Sequence, residues 1–196
     1  MAVILASKSA ARRAVLTGAG IGFEVQVSGV DEDALKDQLL AQGASVSQIA
    51  EALAEQKALK VSQTVPGLVI GSDQTLDFEG RLYDKAETLE AARERLQTLR
   101  GKTHQLHSAV VVARAGEVIW REVVSSTLTM REFTDAFLES YLASEGPEAL
   151  GSVGCYRLEG PGAQLFSKIE GDYFAILGLP LMGLLDLLRA HGEVKA

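Results

Sequence analysis

The run AVILA at residues 2–6 constrains the fold most. Five apolar residues are too few for a helix, and a segment so apolar reads as a buried strand. SKSAARR follows at once, and then AVLTGAG, where Ala14, Val15 and Leu16 favour a helix closed by Gly18 and Gly20. A buried strand that feeds a helix through a short hydroxyl-rich turn is the opening of an α/β unit.

The remaining pattern first extends that rhythm and then breaks it. Residues 23–27 (FEVQV) alternate as a second strand, and a polar stretch then holds Val30, Asp31 and Glu32. Residues 47–61 have helical spacing, with Ser47 as a possible N-cap. LVI at 68–70 leads through Gly71, Ser72, Asp73 and Gln74 into 75–78, and Glu79-Gly80 is a turn signal. Residues 88–100 form an amphipathic helix ended by Gly101, and 134–143 a helix capped by Thr134. Between them, two strand-like runs at 108–113 and 118–130 flank Ala115-Gly116, a hairpin reading. Residues 151–162, rich in glycine, read as a functional or covering loop, and 178–190 as a last apolar helix opened by Pro180. The expected architecture is a mixed sheet flanked by helices, one unit over residues 1–196 with room for two lobes around a cleft.

Composition narrows the function. A net charge of −7 argues against a protein that tracks a nucleic-acid backbone, so any phosphate site must be a local cluster of basic and N–H groups. No apolar run reaches the roughly 18 residues of a membrane span, and the start lacks the order of a secretory signal, so a soluble cytoplasmic protein is expected. A single cysteine, Cys155, excludes a disulfide framework and a multi-cysteine zinc site. His104 and His107 bracket a strand start and read as structural, Trp120 as a packing residue, and Cys155 lacks any sign of a base that would make it a nucleophile.

Two segments carry candidate chemistry. After the first strand, Ser7, Lys8, Ser9 and Arg12 offer hydroxyl, helix N-terminal and guanidinium donors to an anion; equally, they can be an N-cap with solvated basic residues. The glycines and Gly-Lys-Ser/Thr of a Walker loop are absent. Further on, Asp73 is expected at the carboxyl end of a strand, where an acid can hold a metal or accept a proton from water. Gly71 would permit close approach of another group, and Lys85 could fold back across the turn. Glu32, Lys57 and Lys85 would complete a phosphate-handling set; each also has an ordinary reading as a solvated side chain.

LASKSAARRAVL, the VDE at 30–32, EQKA at 55–58 and IGSDQ at 70–74 resemble the Maf family of nucleotide pyrophosphatases. So do LRGKTHQLHSAV, GCYRLEGPGAQLF, IEGDYFAILGLPL and the leucine-rich last helix, in order along nearly the whole chain. The resemblance implies an inosine-triphosphatase-like fold, a long curved mixed sheet with two lobes around a cleft, often as a homodimer. It implies hydrolysis of a nucleoside triphosphate between the α and β phosphates with Mg²⁺ or Mn²⁺. Asp73 matches the acid proposed as the family's catalytic base, Arg12, Glu32, Lys57 and Lys85 match the polar ring of its cleft, and Ser7 and Ser9 its phosphate-contacting turn. On that match Ser7, Ser9, Arg12, Lys57 and Lys85 are expected to bind substrate, and Glu32 and Asp73 to hold the metal. Lys85 is followed by Ala86 where the family has a Lys-Pro step. Specificity maps to Ala11, Gln74 and Glu159. Gln74 and Glu159 resemble the YceF-like branch associated with 7-methyl-GTP, whereas a dTTP/UTP branch carries Arg, Thr and Gln at the three places. The YceF-like branch has Trp where this chain has Ala11, and Ala10 replaces its usual Pro. Glu159 could accept from a guanine N1–H and amine, and Lys168 and Arg157 could reach the nucleotide. The competing readings are a dTTP/UTP or broad-specificity house-cleaning pyrophosphatase, and a nucleotide-binding division regulator without turnover.

Overall fold

The computed structural model describes residues 2–195. Its first half runs β1 (Val3–Leu5), α1 (Ala10–Gly18), β2 (Glu24–Val25), α2 (Glu32–Ala41), α3 (Val46–Ser62), β3 (Leu68–Phe78) and β4 (Arg81–Tyr83). Its second half runs α4 (Leu89–Leu99), β5 (Thr103–Arg114), β6 (Glu117–Met130), α5 (Asp135–Glu145), β7 (Phe166–Glu170), α6 (Tyr173–Ile176) and α7 (Leu181–Ala190). Short 3₁₀ turns lie at Gly146–Gly151 and Pro161–Leu165. The strands form one open mixed sheet in the order β2-β1-β3-β5-β6-β7, with β4 also on β3. β1, β2 and β3 are parallel and the other pairings antiparallel. The α/β reading with a mixed sheet and flanking helices holds.

The hairpin turn is Ala115-Gly116, both in the left-handed region (φ 52° and 82°), the pair of positive values a type I′ turn requires. α3 lies on one face of the central strands through an alanine stripe, Ala50, Ala54 and Ala58, against Ala109, Val111 and Ala113. Gly71 makes that approach possible: a Cβ there would stand 2.1 Å from the Ala54 carbonyl oxygen. The opposite face carries two separate apolar clusters. One joins Val15 and Leu16 of α1 and Leu184 and Leu188 of α7 to β1 and the start of β3. The other joins α4 and α5 to Leu76, Phe78, Leu106 and Leu128.

β3 explains the gap between them. Its first residues, Leu68–Ile70, pair with Val3–Leu5 of β1, and its last, Leu76–Phe78, with β4. Between these contacts, on that edge, residues 71–75 have no strand partner among the described residues. β1 turns away at Ser7 and β4 has not yet arrived, so the sheet splits and a cleft opens. Asp73 stands in the middle of this stretch. It is therefore not at the carboxyl end of a strand, as the sequence pattern suggested, but at the centre of an 11-residue one. GSDQ does not interrupt the strand, because β5 pairs with it continuously from Val69 to Asp77.

Other expectations change: β5 begins at Thr103, β7 forms where no strand was expected, and the last helix begins at Leu181, after Pro180. α3 is capped by Ser45, not Ser47: the Ser45 hydroxyl accepts from Gln48 N and the Gln48 side chain accepts from Ser45 N, a reciprocal capping box. β2 shrinks to two exposed residues. α2 was not expected at all: none of its residues is fully buried, and its apolar stripe is no more than the half-buried pair Leu35 and Leu39. Its signal is the cap, Asp31 accepting from Ala34 N, with Glu32 and Asp33 in the first turn.

Candidate active site

The split edge of β3 opens into a cleft of about 1000 Å³. Its walls are the β1–α1 turn, the start of α2, Lys57 of α3, Asp73 to Thr75, the segment after β4, and the glycine-rich loop from Gly151 to Glu159. The split thus brings together residues spread over most of the chain.

Alternation along β3 sends Asp73 and Gln74 to opposite faces. Asp73 points to α3, where Lys57 Nζ donates to its Oδ1 at 2.6 Å. The same ammonium lies 3.0 Å from Oε2 of Glu32, the first residue of α2. Lys57 and Asp73 are buried, while Glu32 is half-exposed at the cleft wall. Gln74 points the other way. Its Nε2 donates to Ser108 Oγ at 2.8 Å and lies 3.0 Å from the carbonyls of both Ala175 and Ile176. Gln74 therefore anchors α6 to the sheet.

Arg12 is buried and does two jobs. Its Nε donates to the Gly178 carbonyl at 2.8 Å and its Nη1 to Ser7 Oγ at 3.1 Å, which ties α1 to the segment before α7. Ser72 Oγ donates to the same Gly178 carbonyl at 2.9 Å. Burial pulls the Arg12 guanidinium below its ordinary pKa, with the nearby charges of Asp73 and Glu32 acting against that. Ser9 is the N-cap of α1, its hydroxyl accepting from Arg12 N, and Ser7 Oγ also accepts from Ser9 N. These oxygens hold the turn, so the ordinary capping reading is correct. The anion reading is compatible with it, since each hydroxyl keeps a proton to donate and the N-terminus of α1 lines the cleft.

Lys85 lies on the cleft wall opposite. Loss of solvent around its ammonium, and then the Arg12 charge, hold it below the usual lysine range, while Asp73 and Glu32 oppose the shift. The cleft is not simply basic. Lys8, Arg12, Lys36, Lys57, Lys85 and Arg157 line it together with Glu32, Asp33, Asp73, Asp84, Glu87, Glu148 and Glu159. The lining thus mixes basic and acidic groups rather than presenting one sign of charge.

Of the positions expected to set specificity, Ala11 and Glu159 share the boundary between the main cleft and a smaller, mostly apolar pocket of about 340 Å³ between α1 and α6–α7. Arg157 is engaged by the buried Glu145 carboxylate through two contacts, 2.8 and 3.3 Å. Lys168 does not join the site: it lies on β7, exposed and paired with Glu170 at 2.8 Å. His104 and His107 also stay outside, on Tyr156 and Ser125 respectively. Cys155 is buried and its thiol is pushed up by that burial, the opposite of an activated nucleophile. Sequence reasoning missed Lys36 and Asp84, which line the cleft, and Gly178, whose carbonyl holds Arg12; Gly178 lies inside the IEGDYFAILGLPL segment.

The model of Maf-like proteins matches residues 2–191. The chain belongs to the Maf family. Among curated Maf-family relatives, a nucleoside triphosphate pyrophosphatase of Caulobacter vibrioides is 61% identical over 192 residues, 98% of this chain and 96% of that protein. A 7-methyl-GTP pyrophosphatase of Rhizobium meliloti is 48% identical over 195 residues, covering 99% and 98% of the two chains. One of Brucella suis with the same name is 50% identical over 188 residues, 95% and 94%. Among the described residues, no helix is long and apolar enough to cross a membrane.

Proposed function

We propose that this Maf-family chain hydrolyses nucleoside triphosphates to the monophosphate and pyrophosphate, with 7-methyl-GTP as a favoured substrate. One observation carries the reading: Asp73, at the split edge of β3, shares Lys57 with Glu32 inside a cleft that Arg12 and Lys85 also line. The names of the relatives support both the reaction and the base.

The residues fit a divalent cation, Mg²⁺ or Mn²⁺. Among the described residues no group of three or more His, Cys, Asp or Glu could by itself hold a metal. Mg²⁺ needs no such cage, since it is commonly held by one or two carboxylates together with substrate phosphates. Glu32 and Asp73 supply two, already brought to one point by the ammonium between them. When bound, the cation supplies Lewis-acid polarisation of phosphate oxygens.

The chain's own residues do the rest. Arg12, Lys57, Lys85 and the N-terminus of α1 hold the phosphates and offset the charge that grows on the departing oxygens. Ser7 and Ser9 add hydroxyl donors. Asp73 accepts a proton from water as the water oxygen bonds to the α-phosphorus. The bond from that phosphorus to the bridging oxygen breaks, and pyrophosphate leaves with the electron pair. Glu159, at the cleft rim, is the acceptor for a guanine N1–H and amine, and its charge favours a cationic methylated ring.

Pyrophosphate release measured over 7-methyl-GTP, GTP, UTP, dTTP and CTP, with each metal, tests this reading. The highest kcat/KM is expected with 7-methyl-GTP. Binding of triphosphates without release of pyrophosphate would identify a nucleotide-binding regulator instead.

A further inference from the structure

Lys36 of α2 reaches across the cleft mouth to Asp84, 2.6 Å from Nζ to Oδ1, on the segment that carries Lys85. The two ends differ in how firmly they are held. Asp84 belongs to a fixed wall: its backbone carbonyl accepts from Arg95 Nη1 of α4 at 2.9 Å, and that same nitrogen donates to the Val153 carbonyl in the glycine-rich loop at 2.6 Å. The Arg95 guanidinium also covers the Tyr83 ring at 4.6 Å. α2, in contrast, has no fully buried residue, and the half-buried Leu35 and Leu39 are all the apolar packing it offers, which fixes it weakly. Polar contacts hold it instead: Glu32 to Lys57, and Lys36 to Asp84. Lys36 is largely shielded, whereas Asp84 is mostly exposed. A second carboxylate, Asp33, lies 2.7 Å from Lys36 Nζ within the helix and keeps the ammonium charged and aimed.

We propose that the Lys36–Asp84 pair is a clasp that closes α2 over the polyphosphate cleft, and that both are positioning residues. The proposal rests on the reading that the triphosphate occupies this cleft. Glu32 lies one helical turn before Lys36, and Lys85 directly follows Asp84, so one ion pair fixes the distance between the carboxylate assigned to the cation and an ammonium assigned to the phosphates. Without it, Glu32 keeps only Lys57, and α2 can swing from the mouth.

The test uses the full chain with Lys36→Met, Asp84→Asn and the exchange of charges Lys36→Asp with Asp84→Lys, each checked by thermal melting. Both single variants are expected to lose about fivefold in kcat/KM for pyrophosphate release, most of it in KM, and the exchange to recover most of the loss. Added salt should lower kcat/KM more in the unaltered chain than in Lys36→Met, beyond the screening of substrate common to both. Amides of α2 should exchange hydrogen faster in both single variants. An effect in Lys36→Met alone would make Lys36 a direct phosphate ligand and overturn the clasp. So would unchanged exchange in α2, a readout that does not depend on turnover. An unaltered chain that releases no pyrophosphate from any triphosphate would instead remove the reading beneath it, and hydrogen exchange would still decide whether the clasp exists.

Discussion

Lys57 Nζ stands 2.6 Å from Asp73 Oδ1, with both side chains buried. The lysine is what allows a second carboxylate, Glu32, to share the same point. Taking one partner out of a buried ion pair leaves the other charge uncompensated, at a cost of about 3 kcal/mol. Lys57→Met is therefore expected to melt roughly 6–12 °C lower. Mn²⁺ should recover part of that loss, and should raise the melting temperature of Lys57→Met more than that of the unaltered chain, because the cation replaces the missing charge. Equal metal shifts in the two proteins would argue that Glu32 and Asp73 are not a cation site.

Asp73→Asn keeps the shape of the side chain and removes its ability to take a proton. Turnover is expected to fall at least about 100-fold. Lys57 retains Glu32 as a partner, so the fold should survive, as circular dichroism can verify. Turnover close to that of the unaltered chain would remove Asp73 from the chemistry.

Asp73, Lys57, Arg12 and Lys85 were legible in the sequence as chemical types and through the motifs around them, but their meeting place was not. Local pattern placed Asp73 at the carboxyl end of a strand rather than within an extended one. What keeps it extended is β5, more than thirty residues later in the chain, and no local window contains that partner. Gly71 was read as permitting close approach, and the approaching group proves to be the backbone of α3. α2 escaped notice for the converse reason: a helix whose apolar face is only the half-buried pair Leu35 and Leu39 writes a weak apolar period into the sequence. Lys36 and Asp84 escaped with it, since a contact over 48 positions has no local signature.

Gly71→Ala tests how tightly α3 is seated. The added Cβ would lie 2.1 Å from the Ala54 carbonyl oxygen and 2.6 Å from Ala58 N, and neither backbone atom can rotate away. α3 must lift, and Lys57 with it. A cost of about 3 kcal/mol is expected, at the upper end for overpacking, together with a loss of activity, since Lys57 would leave Asp73. A melting temperature within 2 °C of the unaltered chain, which corresponds to about 1 kcal/mol or less, would refute the packing argument.

Glu159→Gln alters the carboxylate proposed to accept from the base, while leaving unchanged the groups proposed to bind the phosphates. A carboxylate accepts two N–H groups from a guanine edge; a carboxamide turns one of those acceptors into a donor. The kcat/KM for 7-methyl-GTP is expected to fall about tenfold or more relative to that for UTP, the scale of discrimination a mismatched polar contact gives. An unchanged ranking of substrates would place base recognition elsewhere in the cleft.

His104 ties acid stability to the second core rather than to the cleft. Its Nε2 lies 2.7 Å from the Tyr156 hydroxyl and its ring is packed near Phe166. Nδ1 is buried without a partner, so a second ring proton would have no acceptor. Burial pushes its pKa down to about 4, against about 6.5 in an unfolded chain. Between those values the unfolded chain takes up a proton that the folded chain refuses. The unfolded state thus binds more protons, and stability rises with pH across the window. The contribution is complete above about pH 6.5 and is lost as pH falls toward 4, by roughly 3 kcal/mol in all. His107 is shifted the same way by its own burial and adds to the trend, so the measurement must be a difference. His104→Gln keeps a hydrogen-bonding group for Tyr156 and does not titrate. Melting temperatures at pH 7.5 and pH 4.5 should lie closer together in His104→Gln than in the unaltered chain, and an equal acid drop in the two proteins would show that the proton is taken up elsewhere.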